Sequence, residues 1–246
     1  MDGLLRELRQ ALRALRAMPG LVLLAVLSLA LGIGANVTVY AWARAVLLEP
    51  FGAVPDQDRL VTVLQTDRNE EFVSLSYPDY RDLRDRAAGI AGVAAMRPVP
   101  VTLGADGRSE RVWAQLVTGN FFEVLGVGAA VGRVLTPADD RTPGAHPVVV
   151  LGHAFWQRRF AGDPGIVGRT VVLNTRPYTV LGVAPEGFRG AATGTAYDAW
   201  VPMMMQEQFE PGGSRLDQRG HRWLAGLARL APGVTRERAE AEMTVF

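Results

Sequence analysis

The sequence predicts an α+β protein with an N-terminal amphipathic helix, one transmembrane helix and a mixed α/β extracytoplasmic domain. Three observations lead to this prediction. No charged residue occurs between Arg16 and Arg44, arginines recur at helical spacing before that stretch, and short β-branched runs alternate with short helical patterns after it. We therefore assign residues 1–20 to a cytoplasmic amphipathic helix, 21–43 to a transmembrane helix and 44–246 to the outer domain.

The first segment is predicted to be a basic helix. Arg6, Arg9, Arg13 and Arg16 are spaced by three, four and three residues, which places them along one side of a helix. Leucines form the opposite side. A basic helix just before a span is typical of a cytoplasmic membrane surface. The same pattern also fits an ordinary amphipathic helix that packs on protein.

The transmembrane helix is predicted from length and composition. The 27 uncharged residues between Arg16 and Arg44 would extend ~40 Å as a helix, whereas a bilayer core of about 30 Å needs only about 20 residues. Eleven of the residues from 21 to 43 are Leu, Ile or Val, and together they contribute about −3 to −7 kcal/mol to insertion. Two alternatives stay open, namely a buried core helix and a signal peptide cleaved after Ala41-Trp42-Ala43.

The distribution of arginine predicts the orientation of the span. Four arginines precede the apolar stretch, and only Arg44 and Arg59 lie in the 20 residues that follow it. The positive-inside rule therefore places the N-terminus in the cytoplasm and the large domain outside the cell membrane.

Small side chains recur inside the predicted span. Ser28, Gly32 and Asn36 are four residues apart, as are Ala30 and Gly34. Small residues at this spacing let another helix backbone approach closely. We therefore predict helix packing in the membrane at Ser28, Gly32, Gly34 and Asn36, although glycine and alanine are also common in spans for other reasons.

The outer chain is predicted to form a succession of short elements. Strands are expected at 60–64, 72–75, 93–103, 111–118, 148–151, 198–202 and 222–230, and helices at 76–89, at 153–160 and from residue 235 onward. Two apolar runs around Asn174 and Thr175 predict a hairpin. Pro98 and Pro100 predict an edge position for the strand that contains them, because proline cannot donate to a ladder.

Composition excludes several kinds of site. All 26 basic residues are arginine, and cysteine is absent. The sequence therefore holds no P-loop lysine, Schiff-base lysine, disulfide or cysteine nucleophile. The net charge of +1 provides no global field that would attract nucleic acid.

The remaining candidate residues form no recognisable catalytic motif. His146, His153 and His221 match no metal-binding pattern. The acid pairs Glu70-Glu71 and Asp139-Asp140 fall in loop-like sequence, where we expect them to be solvated. We predict no catalytic, cofactor-binding or metal-binding residue, while a hydrolase with His146 or His153 as base stays open as an alternative.

Several long stretches resemble the MacB-like and FtsX-like permeases of ATP-binding-cassette systems, and more narrowly the duplicated permeases described from acidobacteria. In order, these stretches are the opening arginine-rich segment that runs into LSLALGIGANVTVYAWARAVLLEPFG, then SYPDYRDLRDRAAGIAGVAA, TGNFFEVLGVGAAVGRVLTPADD, HPVVVLGHAFWQRRFAGDPGIVGRTVVLN, RPYTVLGVAPEGFRG, AWVP and RWLAGLARLAPGVTRERAEAEM. The resemblance covers almost the whole chain and is specific because many long phrases agree. Thr175 departs from the glycine that is usual in the family's hairpin.

The resemblance implies a two-lobed periplasmic core domain. Residues 45–118 and about 220–246 would form the membrane-proximal lobe, and about 119–219 would form an inserted lobe. It also implies a permease subunit of the inner membrane that is not an enzyme and needs no cofactor. Its implied partners are a separate cytoplasmic ATPase near the basic helix, membrane lipid, and other permease helices or a second permease copy in a dimer.

One further alternative is a single-pass anchored sensor or binding module. Since the last helical pattern has barely begun at Phe246, and the permeases have at least three further spans, we expect the chain to be the N-terminal part of a longer protein. No residue predicts the substrate.

Overall fold

The computed structural model describes residues 18–43, 53–66, 72–86, 89–105, 107–192, 195–210 and 212–243. The chain divides into two compact units, residues 1–50 and 51–246. The predicted basic helix, with Arg6, Arg9, Arg13 and Arg16, lies outside the described residues.

Helix α1 spans Pro19–Ala43 and includes the whole predicted transmembrane segment. Pro19 occupies its first position, where a missing N–H costs nothing because the first turn has no internal acceptor for it. The stretch Pro19–Tyr40 has a mean hydropathy of 2.2, and its most apolar part has no buried residue. Among the residues described, this is the one helix long and apolar enough to cross a bilayer.

The second unit contains four helices and eleven strands within its described residues. The helices are α2 (Tyr77–Arg86), α3 (Phe121–Leu125), α4 (His153–Phe160) and α5 (Arg236–Met243). The strands are β1 (Leu60–Val63), β2 (Gln65–Thr66), β3 (Phe72–Val73), β4 (Ile90–Ala105), β5 (Arg108–Val117), β6 (Val131–Gly132), β7 (Val148–Leu151), β8 (Thr170–Leu173), β9 (Arg176–Val183), β10 (Ala199–Pro202) and β11 (Ala225–Leu230). Short 3₁₀ helices occur at Gln57–Arg59, Pro137–Asp140, Pro164–Ile166 and Met203–Gln208.

Nine of the strands form one mixed sheet. Its order is β1-β11-β4-β5-β10-β7-β9-β6, and β8 joins it by pairing with both β4 and β9. β10 runs parallel to β5, and β7 runs parallel to β9, whereas the other neighbours are antiparallel. The sheet is continuous through the boundary predicted near residue 119, and the assignment of two lobes stays a prediction.

Apolar side chains cover both faces of this sheet. One core joins alternate residues of β4, such as Val99 and Val101, to aromatic residues of α2 and α4. The other core lies under α3, where the rings of Phe122 and Trp200 meet edge to face with centroids 5.8 Å apart. Fully burying each large apolar side chain stabilises the fold by about 1.5–3 kcal/mol. The two cores therefore stabilise the packing of helices and loops against both faces of the sheet.

Local sequence signals account for most of the element boundaries. β1, β5, β7, β10 and α4 lie where the sequence predicts them. Helix α2 begins with a reciprocal cap, because the Asp79 N–H donates to Ser76 Oγ (3.2 Å) while the Ser76 N–H donates to Asp79 Oδ2 (3.3 Å). The β8–β9 hairpin turns at Asn174, whose φ of 56° is a left-handed conformation that asparagine tolerates.

The edge position predicted for Pro98 and Pro100 is wrong, because β4 lies inside the sheet. On one side, β5 pairs with β4 past both prolines. On the other side of β4, the pairing with β11 ends at Met96 and the pairing with β8 starts at Leu103. The prolines therefore lie in the unpaired interval between these two partner strands. The backbone of Thr102 bonds on that same side. Residues two apart point the same way, so the missing proline N–H groups face an interval where no ladder bond is lost.

Candidate functional site

Helix α1 carries the residues for which the sequence predicts helix packing. At about 100° per residue, Ser28, Gly32 and Asn36 share one side of the helix, and Gly34 lies on roughly the opposite side. A Cβ atom built on Gly32 or Gly34 would meet nothing within 4 Å. The Thr38 hydroxyl donates to the Gly34 carbonyl oxygen (2.7 Å), which satisfies this polar group inside the helix. Packing of another helix at these positions stays a prediction.

Arg229 on β11 forms hydrogen bonds to the segment that precedes β1. The Arg229 guanidinium donates to the carbonyl oxygens of Pro55 (3.1 Å) and Asp56 (3.2 Å), which precede β1. It also donates to the carbonyl oxygens of Val124 and Leu125 at the end of α3. One side chain therefore joins three segments that are distant in sequence.

β1 and β11, which are distant in sequence, are neighbouring strands at one edge of the sheet. β1 pairs antiparallel with β11, with Leu60 opposite Arg229. Arg59 strengthens this contact, because its Nη2 and Nε donate to the Leu230 carbonyl oxygen at 2.6 and 3.1 Å. Burial, together with the charge of Arg59, lowers the pKa of Arg229. β1 follows α1 in sequence, and β11 precedes α5.

A cleft of about 680 Å³ opens beside α2. The helix lines it with Tyr77, Tyr80, Arg81 and Arg84, whose i, i+3, i+4, i+7 spacing places them on one face. The two tyrosine rings have centroids 5.5 Å apart. Arg84 lies over the Tyr80 ring (5.7 Å) and bonds the neighbouring Asp85, so its charge already has partners. The opposite wall comes from the ends of β5 and β10 and the 3₁₀ helix at 137–140.

Asp140 bridges two strand ends in that wall. Its Oδ2 accepts from the Gly119 N–H and its Oδ1 from the Met204 N–H, both at 2.8 Å. β5 and β10 are parallel, so their C-terminal ends meet at the same edge and one carboxylate reaches both. Gly119 is required there, because a Cβ would lie 2.8 Å from the Asp140 Cβ. Burial raises the pKa of Asp140 to about 7, against the lowering effect of the two N–H bonds.

The solvation expected for Asp139-Asp140 is wrong. Asp139 is only 8% exposed and bonds Arg133 Nη1 at 2.6 Å and the Thr136 N–H at 2.9 Å. Burial by itself would raise the pKa of Asp139, but Arg133 and Thr136 lower it to about 2. The Thr-Pro-Ala-Asp spacing of a capping box is the sequence signal that could have revealed this. Glu70-Glu71 lies outside the described residues.

The histidines do not form a site of recognisable chemistry. His153 begins α4, packs against Trp156 with centroids 5.4 Å apart, and lines a second cleft of about 650 Å³ with Glu186 and Arg189. The lining of that cleft includes no serine, threonine or cysteine. Within the part of the chain that the structure describes, no group of three or more His, Cys, Asp or Glu residues could hold a metal ion. The hydrolase interpretation therefore gains no nucleophile or metal at His153.

Comparison with known families finds a match over most of the chain. A family model described as the MacB-like periplasmic core domain matches residues 22–245. The macrolide export ATP-binding/permease protein MacB of Aggregatibacter actinomycetemcomitans is 31% identical over 96 residues, which are 39% of this chain and 14% of that protein. The probable export ATP-binding/permease protein MacB of Pseudomonas entomophila is 25% identical over 187 residues, or 76% of this chain and 25% of that protein. The chain thus spans a quarter or less of these relatives.

Solved structures share the fold of the outer domain. The periplasmic region of MacB from Actinobacillus actinomycetemcomitans superposes with a TM-score of 0.58 at 20% identity, covering 81% of this chain and 85% of that one. A domain of a putative permease protein from Porphyromonas gingivalis gives a TM-score of 0.58 at 17% identity, covering 78% and 84%. The extracellular domain of the noncanonic ABC-type transporter YknZ from Gram-positive bacteria gives 0.53 at 13% identity, covering 74% and 88%.

Proposed function

Because the chain belongs to the family of MacB-like periplasmic core domains, we propose that it is the N-terminal part of an ABC-type permease subunit. In this proposal α1 crosses the inner membrane with its N-terminus in the cytoplasm, and the sheet domain lies in the periplasm. A separate cytoplasmic ATPase supplies the energy. The subunit itself catalyses no reaction and transmits motion from the ATPase to the outer domain during export or a related mechanical task.

The edge formed by β1 and β11 is the observation that best supports a mechanical role. The chain that follows α1 is held to β11 by Arg59 and Arg229 through bonds to backbone carbonyl oxygens. Charged hydrogen bonds of this kind are stronger than neutral ones, and the antiparallel ladder beside them adds further backbone bonds. A force arriving through the span would therefore move the sheet as a unit instead of pulling one strand away.

The energy source is proposed from chemistry and from the relatives. The MacB relatives are described as ATP-binding/permease proteins. The 246 residues given contain no lysine, so the phosphate-binding loop with its lysine lies outside them. We place that loop on a separate polypeptide, which would contact the basic helix carrying Arg6, Arg9, Arg13 and Arg16.

Site-specific photo-crosslinking in cells of the source organism tests this partner. A photoreactive phenylalanine at position 9 is expected to form an adduct with an ATP-binding-cassette ATPase. The same group at position 108, in the β4–β5 hairpin of the outer domain, is the matched control and should not. An ATPase adduct at position 108, or none at position 9, would contradict the proposed arrangement.

The absence of cysteine allows a direct test of orientation. We expect a membrane-impermeant maleimide to label Arg108→Cys in cells whose outer membrane has been permeabilised. Gln10→Cys should be labelled only after the inner membrane is opened. Labelling of Gln10→Cys without that opening would reverse the topology.

A single-pass binding module is the second candidate function, and the cleft beside α2 is the observation that favours it. It shares the topology just described but needs no ATPase at the basic helix. The adduct at position 9 therefore separates the two functions.

A further inference from the structure

We propose that the cleft beside α2 is a binding site for a soluble organic anion with an aromatic or apolar body. This proposal goes beyond the transmission of motion and does not depend on it. The cleft is of ordinary ligand size, since its volume is about 680 Å³ and small-molecule sites commonly measure about 300–1,000 Å³.

Two arginines supply the positive charge. Arg81 on α2 and Arg141 on the opposite wall both line the cleft, and both are exposed. Neither forms a hydrogen bond or ion pair with any residue that the structure describes. Arg84 differs, because it is already bonded to Asp85. Guanidinium groups bind carboxylate, sulfonate and phosphate through paired N–H donors. Two arginines that line one cleft and have no hydrogen-bond partner among the described residues therefore point to an anionic head group.

The two carboxylates of the cleft leave this charge balance positive. Asp140 directs both oxygens at backbone N–H groups of its own wall, and burial raises its pKa to about 7, so its negative charge is only partial near neutral pH. Asp217 is exposed at the rim, as Arg81 and Arg141 are, so solvent screens all three charges. The cleft keeps a positive excess because the two arginine charges exceed one full and one partial negative charge. Anions are therefore attracted to the side of Arg81 and Arg141.

Apolar and aromatic groups complete the lining. Only the edges of two buried rings reach the cleft from α2, since Tyr77 is 9% and Tyr80 2% exposed. Pro137 and Pro143 are exposed in the lining opposite them. The Tyr80 hydroxyl donates to the Asn120 Oδ1 (3.1 Å), which holds its ring in place. The Tyr77 hydroxyl bonds no residue that the structure describes. The apolar part of the site therefore consists mainly of Pro137 and Pro143 beside the edges of the two tyrosine rings.

A matched pair of probes tests the proposal on the full chain in phosphatidylcholine nanodiscs. N-acetyl-5-fluorotryptophan carries a carboxylate, and its amide differs from it only in lacking that charge. In ¹⁹F NMR titrations we expect saturable binding of the acid. The amide should bind at least about tenfold more weakly, because it lacks one charge-assisted hydrogen bond to an arginine. Arg81→Gln and Arg141→Gln should each weaken the acid about tenfold and leave the amide unchanged.

Three controls keep the outcome interpretable. Arg111→Gln removes an exposed arginine on β5 that does not line the cleft, and it should bind the acid normally. Arg81→Lys should retain part of the affinity, and near-UV circular dichroism should match the parent for every variant. Nanodiscs containing phosphatidylglycerol should give the same affinity for the acid, since the ligand is soluble. If phosphatidylglycerol competes with the acid, the anion that the cleft binds is a lipid head group and not a soluble molecule.

The proposal as a whole is refuted by equal affinity for acid and amide. It is also refuted if neither probe binds saturably, or if Arg81→Gln and Arg111→Gln have the same effect. None of these outcomes bears on the crosslink expected at position 9, so failure here is distinct from failure of the permease assignment.

Discussion

Replacing Asp140 by asparagine is expected to flatten the pH dependence of the core domain's stability between about pH 4 and pH 8. In the folded protein this carboxylate accepts the N–H groups of Gly119 and Met204 at 2.8 Å each. Burial raises its pKa from 3.8 to about 7. Asparagine has the same shape as the protonated acid but does not titrate.

The sign and size of the effect follow from linkage. The folded-state pKa lies above the unfolded value, so folding favours the protonated form. The stabilisation is fully present below about pH 4 and is lost as the pH rises through about 7. At about 1.4 kcal/mol per pKa unit, the shift corresponds to about 4 kcal/mol of unfolding free energy. Asp139 does not interfere, because its lowered pKa of about 2 confines its effect to more acidic conditions.

Equilibrium unfolding of the full chain in detergent, followed by near-UV circular dichroism at several pH values, measures this effect. At pH 4 the Asp140→Asn variant should be about 1–3 kcal/mol less stable than the parent, because its amide nitrogen cannot accept one of the two N–H groups. At pH 8 the variant should be the more stable of the two, despite losing one acceptor oxygen. Asp58→Asn, a change at an exposed acid before β1, is the control and should keep the parent's pH profile. Parallel profiles for the parent and Asp140→Asn would refute the reasoning.

Two further predictions concern the stability of the sheet and its edge. Gly182→Ala is expected to cost about 2 kcal/mol or more of unfolding free energy, because its Cβ would clash with the Val131 carbonyl oxygen. Gly220→Ala, which meets nothing within 4 Å, should be neutral in the same denaturant titration, and equal losses would contradict the packing argument. Arg229→Ala should cost about 2–3 kcal/mol by leaving carbonyl oxygens without their charged donor. Thermal unfolding should show a much smaller loss of stability for Arg111→Ala, whose guanidinium is exposed. Similar losses for the two variants would argue against a stabilising role of the Arg229 hydrogen bonds.

Much of the fold could be predicted because its signals are local. The apolar run of α1, the turn at Asn174 and the cap of Ser76 on α2 each depend on residues a few positions apart. Backbone preference, side-chain periodicity and capping act over this range. The order of helices and strands was therefore largely accessible from near-neighbour patterns.

The candidate site was less predictable because its parts are distant in sequence. Asp140 receives N–H groups from residues 119 and 204, and Arg229 reaches back to Pro55 and Asp56. Nothing near Asp140 in sequence indicates which distant N–H groups its carboxylate accepts. The tyrosine and arginine spacing of α2 predicts one helix face, but the wall opposite that face comes from four separate segments.

By itself, the sequence determined the apolar helix, the absence of lysine and cysteine chemistry, and the succession of short elements that follow. Only the tertiary structure decided that β4, with its two prolines, lies inside the sheet, with β5 on one side and β11 and β8 on the other. It also decided that β1 and β11 are neighbours. The physical reason is that helices and turns are selected by contacts between near residues. Strand partners, clefts and buried charges depend on which distant segments exclude water together.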